Sequence, residues 1–213
     1  MDYRRFAIRT RFGTNFLGMK LRRPRAGRLD QNAVLAFYNE RRAKASEAAP
    51  NAAHEAIASL EAAYDVVVIT QNVDELHERA GSTKIVHLHG QLSYARGTSD
   101  RPKRYRIGSA PILLGQLCED GTQLRPDIVW FGENVQRIEE ARQHVASAAK
   151  VLVVGTSLSV YPAAALVKVA RGRAEKVLNG LDIGKVPFGF SFLRGNATSI
   201  VPKLVEKWLG QAL

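Results

Sequence analysis

The sequence predicts a doubly wound α/β fold, a mostly parallel sheet with helices on both faces and a small lobe inserted into it. Three observations lead there. Val66-Val67-Val68-Ile69 and Val151-Leu152-Val153-Val154 are continuous apolar runs of strand length, as expected of parallel strands buried on both faces. Each run ends abruptly in a polar turn, Thr70-Gln71-Asn72 after the first and Gly155-Thr156-Ser157 after the second. Around them lie segments with helical periodicity, so that strand, polar turn and helix recur along the chain, the alternation of a Rossmann-like sheet.

Taken in order, residues 32–45 carry Val34, Leu35, Phe37 and Tyr38 at helical spacing under a basic outer face, an amphipathic helix. Pro50-Asn51 supplies a stop and a cap, and residues 52–63 form a second helix with Ile57 and Leu60 on its buried side. After the first strand a short helix runs through Leu76, His77 and Ala80, and residues 84–88 make a short strand leading into His89-Gly90. Residues 91–124 differ in texture. Gly, Ser, Pro and Arg are frequent, apolar periodicity is weak, and Leu113-Leu114 is the one sizeable apolar pair, which predicts an inserted small lobe or long loop. Regular structure returns with a strand at Ile128-Val129-Trp130-Phe131, a helix over 138–149, the strand at 151–154 and a helix over 162–171 with Pro162 in its first turn. A short strand at 176–178 and a closing helix over 202–209 complete the pattern. Doubly wound sheets bind ligands at the carboxyl ends of their strands, so the two polar turns are the first candidates for a shared site.

The bulk properties narrow the classes. A length of 213 residues suits one domain with a small insertion, and an apolar fraction of 46% predicts a globular chain. The apolar runs are far shorter than the roughly 20 residues of a membrane span, and no secretory signal is recognisable. The net charge of +11 is unevenly spread: residues 1–28 hold nine Arg/Lys against one Asp, which is +8, leaving +3 for the other 185 residues. The body is nearly balanced, so a groove for nucleic-acid phosphates is not expected. The acid-poor start is compatible with a mitochondrial-type presequence. With Cys118 as the single cysteine there is neither an internal disulfide nor a cysteine zinc cage, and a reducing cytoplasm is the simplest compartment.

Asn72 and Asp74 follow a buried strand, where an amide and a carboxylate can bond a ribose or a carboxamide without competition from water, or can simply cap the next helix. His87 and His89 lie two apart on one face of a short strand. They could form a metal pair, yet no third ligand stands nearby. His89, at the strand end beside Gly90, is the better candidate for a general base, since histidine is matched to proton transfer near neutral pH.

Four ordered segments then carry a resemblance. Thr70-Gln71-Asn72-Val73-Asp74-Glu75-Leu76-His77 with Arg79-Ala80-Gly81, His87-Leu88-His89-Gly90, Pro126-Asp127-Ile128-Val129-Trp130-Phe131-Gly132-Glu133 and Gly155-Thr156-Ser157-Leu158-Ser159-Val160-Tyr161-Pro162-Ala163 resemble the sirtuin family of NAD-dependent protein lysine deacylases. The likeness runs from about Asp30 to the C-terminus. It implies that acyl-lysine proteins are the substrates, that NAD is a co-substrate, and that the products are nicotinamide, free lysine and O-acyl-ADP-ribose. It assigns His89 as the base that deprotonates the ribose hydroxyl, Gln71 and Asn72 as ribose contacts and Asp74 as the holder of the nicotinamide carboxamide. It places Gly155, Thr156 and Ser157 against the adenosine half, with Asn179, Leu181 and Ala197 closing over the adenine. Val129, Trp130, Phe131, Gly132 and Glu133 match the segment that pairs with the substrate backbone by β-augmentation. Tyr38 and Arg41 resemble the Tyr-x-x-Arg signature of members that remove succinyl and malonyl groups, where a guanidinium grips a carboxylate with two hydrogen bonds.

Two departures from the family stand out. Most sirtuins fix the small lobe with four zinc-bound cysteines; here Gly97, Ser99 and others occupy that segment, so zinc is not expected, and Leu113, Leu114 and Tyr105 are expected to pack the lobe instead. The family also begins with a hydrophobic strand and a Gly-Ala-Gly-x-Ser turn that cradles the NAD phosphates, whereas residues 1–28 show no strand pattern. A one-base shift of codons compatible with residues 12–16 and 19–23 permits a Trp followed by a polar residue, then Glu-Val-Glu-Glu, both similar to what the family carries ahead of the Tyr38 helix. That predicts out-of-frame translation of about residues 12–28, with the sirtuin-type domain spanning 29–213. The rival functions are an inactive remnant that binds peptide or ADP-ribose without turnover, and a DNA-associated factor working through a basic arm.

Overall fold

The computed structural model describes residues 5–10, 30–99 and 102–211. Among these residues it contains a six-stranded sheet and a three-stranded one. The strands of the larger sheet, all parallel, are β1 (Arg5–Thr10), β2 (Asp65–Thr70), β3 (Ile85–His87), β7 (Lys150–Val154), β8 (Glu175–Gly180) and β9 (Ser191–Arg194), in the order β3-β2-β1-β7-β8-β9. The smaller, antiparallel sheet has the order β5-β4-β6, from β4 (Gly90–Arg96), β5 (Arg104–Arg106) and β6 (Arg125–Ile128). The helices are α1 (Gln31–Glu47), α2 (Ala52–Ser59), α3 (Leu76–Arg79), α4 (Ile138–Ser147) and α5 (Ala197–Gly210), with short 3-10 stretches at Leu60–Ala62 and Ala163–Val169.

Period-two alternation explains the layering. Val66 and Val68 face one way and join Ala53 and Ile57 of α2 and Val201, Val205 and Trp208 of α5. Val67 and Ile69 face the other way and join Ala141 and Val145 of α4 with Ala163 and Leu166. Both faces of β2 are therefore covered, which is why its sequence is apolar without interruption. Trp208 is fully buried, and the Tyr64 hydroxyl donates to its carbonyl at 2.7 Å. Removing such a ring costs about 3–5 kcal/mol. Asn51 caps α2, its Oδ1 accepting from the amides of Ala53 and His54 at 3.0 and 3.3 Å.

Several expectations need correction. The first 28 residues do contain a strand: β1 occupies the centre of the larger sheet, in register with β2 from Arg5↔Asp65 to Thr10↔Thr70 and with β7 from Phe6↔Lys150 to Arg9↔Val153. Two neighbours satisfy the ladder on both of its edges, a long-range effect that three polar residues in six disguise. The suggested out-of-frame segment, residues 12–28, and with it the expected place of the phosphate turn, lie outside the described residues. The lobe at 91–124 is part of an ordered sheet rather than a loop, and Leu113 and Leu114 do not pack it, being 62% and 52% exposed. Ile112 does so, with Leu35, Ala95 and Leu124, because Asn39 binds both the amide and the carbonyl of Ile112 at 2.9 Å and turns that side chain inward; Tyr105 packs at the margin.

The strand expected at 128–131 lies earlier, in β6, because Gly132 (φ +94°) and a Glu133 N–H to Trp130 carbonyl bond of 3.0 Å close a turn there. The helix expected over 162–171 is the 3-10 segment Ala163–Val169, and α5 starts five residues before Pro202. β3 stops at His87, so His87 and His89 do not share a strand face.

Candidate active site

The larger sheet reverses its winding between β1 and β7: β2 and β3 lie on one side, β8 and β9 on the other. Loops at the carboxyl ends diverge at such a point and leave a crevice. Residues 70–74 leave β2 on one side of it, and residues 155–157 leave β7 on the other.

On the β2 side lies a cleft of about 200 Å³ lined by Tyr38 and Arg41 from α1, by Gln71, Asn72, Val73 and Asp74, by His89, and by residues 128–133 following β6. The structure thus brings ten of the expected residues around one space: His89, Gln71, Asn72, Asp74, Tyr38, Arg41, Val129, Phe131, Gly132 and Glu133. Gln71 and Asn72 are buried polar side chains at 7% and 6% exposure, which is costly unless something polar engages them. The Asn72 amide donates to Thr70 Oγ1 at 3.0 Å, and Asp74 Oδ1 accepts from the Leu76 amide at 3.1 Å, so Asp74 both braces α3 and faces the cleft. His89 Nδ1 lies 3.2 Å from the Gln71 carbonyl. A carbonyl only accepts, so Nδ1 carries the hydrogen and Nε2 is the basic nitrogen. His87 is set apart: its Nε2 pairs with Glu78 at 2.7 Å, in the wall behind the site.

Helix α1 presents Tyr38 and Arg41 because two neighbours anchor it. Asn39 holds Ile112, and Arg42, 2% exposed, donates from Nε to the Leu92 carbonyl at 2.6 Å. Burial pushes the Arg42 guanidinium down to about 10. Arg41 lies 5.4 Å over the Phe37 ring and forms no ion pair among the described residues. Trp130, expected within the substrate-pairing segment, lines the cleft as well, and five lining residues had no role from the sequence: Val73, Ile128, Val135, Val160 and Tyr161. Trp130 stacks on Tyr38 with ring centroids 6.4 Å apart. Burial works to raise the Glu133 carboxyl, but hydrogen bonds from Arg125 and the Trp130 amide, with the charges of Arg125 and Arg96, hold it below the usual carboxylate range.

On the β7 side the expected residues gather around strand ends rather than around the cleft. Gly155 (φ +62°) donates its amide to the Asn179 carbonyl at 3.0 Å. Thr156 is buried, its Oγ1 accepting from the Leu158 amide at 3.1 Å, and Ser157 is exposed with its hydroxyl 2.7 Å from that of Ser159. Asn179, 1% exposed, donates from Nδ2 to the carbonyls of Leu193 and Gly195 at 2.9 and 3.1 Å. It thereby ties β8 to the loop that starts α5 at Ala197. Its Oδ1 is buried without a hydrogen-bond partner among the described residues. Leu181 is 64% exposed beyond β8. Polar loops on both sides of the crevice, one of them carrying buried Gln71 and Asn72, fit a dinucleotide lying across it.

A parallel sheet that reverses at its centre, with polar loops on both sides of the reversal, defines the dinucleotide-binding α/β class. Residues 19–162 match the model of the Sir2 family. An NAD-dependent protein deacylase of Helicobacter pylori strain J99 is 42% identical over 196 residues, covering 88% of this chain and 82% of that protein. Another, from Thermococcus kodakarensis, is 39% identical over 200 residues, covering 88% and 78%. Among solved structures, a Sir2 homolog–NAD complex superposes with a TM-score of 0.86 at 31% identity, covering 100% of this chain and 91% of that one. A Sir2 protein bound to a propionylated peptide superposes at 0.80 with 28% identity, covering 100% and 95%. The chain belongs to the Sir2 family.

Where most members hold zinc, this chain has a hydrogen-bonded knot. Cys118 Sγ and Ser99 Oγ both donate to Asp120 at 2.6 Å, and Thr122 Oγ1 donates to the same carboxylate at 2.7 Å. These bonds, that from Cys118 foremost, hold the Asp120 carboxyl far below its ordinary range. A Cβ on Gly97 would come within 2.6 Å of Thr122 Oγ1 and 2.7 Å of Cys118 Sγ. A single thiol, already donating to a carboxylate, does not fit a tetrahedral thiolate site.

Proposed function

We infer that the protein is an NAD-dependent protein lysine deacylase. The observation that carries this is the placement of His89, its Nδ1 3.2 Å from the Gln71 carbonyl, inside a cleft that also contains Asn72, Asp74 and the segment after β6. Bound NAD supplies an electrophilic anomeric carbon with nicotinamide as its leaving group. Gln71 and Asn72 hold the adjoining ribose, Asp74 the carboxamide, and residues 155–157 with Asn179, Leu181 and Ala197 the adenosine half. His89 Nε2 takes up the proton of a ribose hydroxyl. Those backbone groups of residues 129–132 that His89 and Glu133 do not already engage pair with the substrate backbone, and one acyl-lysine side chain enters the cleft beside Tyr38 and Trp130. Trp130, Val73 and Val160 keep water from that channel. The inactive remnant is not favoured, since relatives 39–42% identical over most of the chain are NAD-dependent protein deacylases; the phosphate-loop region on which it rested lies outside the described residues.

The acyl group we propose is a short dicarboxylic one, succinyl or malonyl, alongside acetyl. Arg41 lies in the cleft with Tyr38, half-buried and without a carboxylate partner among the described residues, and a bidentate guanidinium–carboxylate pair suits it. The single cysteine supports a reducing compartment, the cytoplasm, and no helix among the described residues is long and apolar enough to cross a membrane. Parallel kinetics on acetyl-, malonyl- and succinyl-lysine peptides test the acyl group. Arg41→Met is expected to lower kcat/KM for the succinyl peptide by about 10- to 100-fold, the worth of a charge-assisted bond pair, while the acetyl rate changes about threefold or less. Equal losses on both peptides would exclude the acyl-recognition role.

A further inference from the structure

The residues that hold the substrate-pairing segment in place are a second layer beneath the cleft. Arg125, at the start of β6, is 8% exposed. Its Nη1 donates to Glu133 Oε1 at 2.6 Å, and its Nη2 to Glu133 Oε2 at 3.1 Å and to the Ile128 carbonyl at 2.6 Å. Its guanidinium carbon sits 3.5 Å from the centroid of the Trp130 ring. Glu133 Oε2 in turn accepts from the Trp130 amide at 2.8 Å. One buried ion pair therefore grips the carbonyl before the segment, the amide and ring in its middle, and the carboxylate at its end. Behind Trp130 the stack continues to Tyr38, so guanidinium, indole and phenol form one column ending in the acyl channel. None of these bonds reaches the loops after β2 or β7.

We propose that Arg125 and Glu133 are the positioning pair of the acyl-peptide half of the site. They hold residues 129–132 at the level where a substrate backbone pairs with them and fix Trp130 as the channel wall, without touching NAD. This rests on the deacylase reading. A fork-shaped donor is required: lysine keeps the charge but cannot bond both carboxylate oxygens and the Ile128 carbonyl in one plane while lying on the indole face. The carboxylate of Glu133, though at the cleft, is already engaged by Arg125, Arg96 and the Trp130 amide, so its part is to hold rather than to contact the peptide.

The test is steady-state kinetics on an acyl-lysine peptide and NAD for Arg125→Gln, Arg125→Lys and Glu133→Gln. Anisotropy of a fluorescent acyl-lysine peptide with ADP-ribose present, and urea midpoints, accompany it. Arg125→Gln and Glu133→Gln are expected to raise peptide KM and Kd by about tenfold or more, the loss of a charge-assisted bond. Arg125→Lys should give a smaller rise, and the KM for NAD should stay within about twofold in all three, a split that lost stability alone would not produce. If Arg125→Gln does not fold, the near-isosteric Glu133→Gln and the Lys variant decide. Unchanged peptide KM in folded variants, or an equal rise in KM for NAD, would overturn the proposal and leave the deacylase reading standing. An unsubstituted protein that neither binds nor turns over acyl peptide would overturn both.

Discussion

The two sides of the crevice are built differently. On the β2 side the proposed recognition is by side chains: Gln71, Asn72, Asp74, His89, Tyr38 and Arg41 surround an open cleft, and the helix carrying the last two is held by partners as far away as Leu92 and Ile112. On the β7 side the backbone is prominent, with an exposed Gly155, an exposed Ser157 and one buried asparagine tying the strand ends together. The difference matches the chemistry each side faces. Bond breaking needs a proton acceptor of defined tautomer in a dry site, whereas the adenosine half needs only shape and a few polar contacts. Substitutions on the β2 side should therefore change turnover, and those on the β7 side should change affinity or stability.

The largest effect is expected for His89→Ala, which should lower kcat by about a thousandfold or more by removing the base, with an unchanged urea midpoint. Turnover within tenfold of normal would break the division of labour at its strongest point. Next is Asn179→Ala. It strands the carbonyls of Leu193 and Gly195, and the expected loss of stability is about 1–3 kcal/mol, read by urea unfolding, with weaker NAD binding but normal kcat at saturation. A lower kcat with unchanged NAD affinity would erase the contrast between the two sides.

A pH dependence sharpens the comparison further. Burial, then the neighbouring His54 charge, pushes His77 of α3 down to about 3, and His54 is lowered by burial as well. Folded His77 stays neutral while the unfolded chain takes up a proton below about 6.5, so its contribution is fully present above that pH. It is lost at roughly 1.4 kcal/mol per pH unit as pH falls toward 3. His77→Gln should flatten the slope of urea midpoint against pH between 4 and 6.5, and an unaltered slope would contradict the assignment. The smallest effect is expected for Ser157→Ala: an exposed hydroxyl already paired with Ser159 should shift KM for NAD by about threefold or less.

What could be read from the chain alone follows from which interactions are local. Residues 66–69 and 151–154 announced themselves because a strand covered on both faces must be apolar throughout, and the polar residues just past them marked the site. β1 was hidden because Arg5, Arg9 and Thr10 break its apolar pattern, and its two neighbours are 60 and 144 residues away. β4 was hidden for another reason: Gln91 is buried as a polar residue, accepted only because it bonds Glu78 and Arg104. Asn39, Arg42 and Arg125 read as ordinary surface residues. Their importance lies in bonds to carbonyls and carboxylates that no periodicity encodes, across 73 positions for Asn39 and 50 for Arg42. His89 could be found because a histidine at a strand end is chemically distinctive on its own. Its tautomer could not, since that depends on the Gln71 carbonyl 18 residues away.

The most direct test of a deacylase built around His89 is nicotinamide release from NAD, followed with and without an acyl-lysine peptide. Release that requires the peptide, matches free lysine formed one to one and disappears in His89→Ala is the expected result. Peptide and ADP-ribose binding without any nicotinamide release from the unsubstituted protein would contradict it.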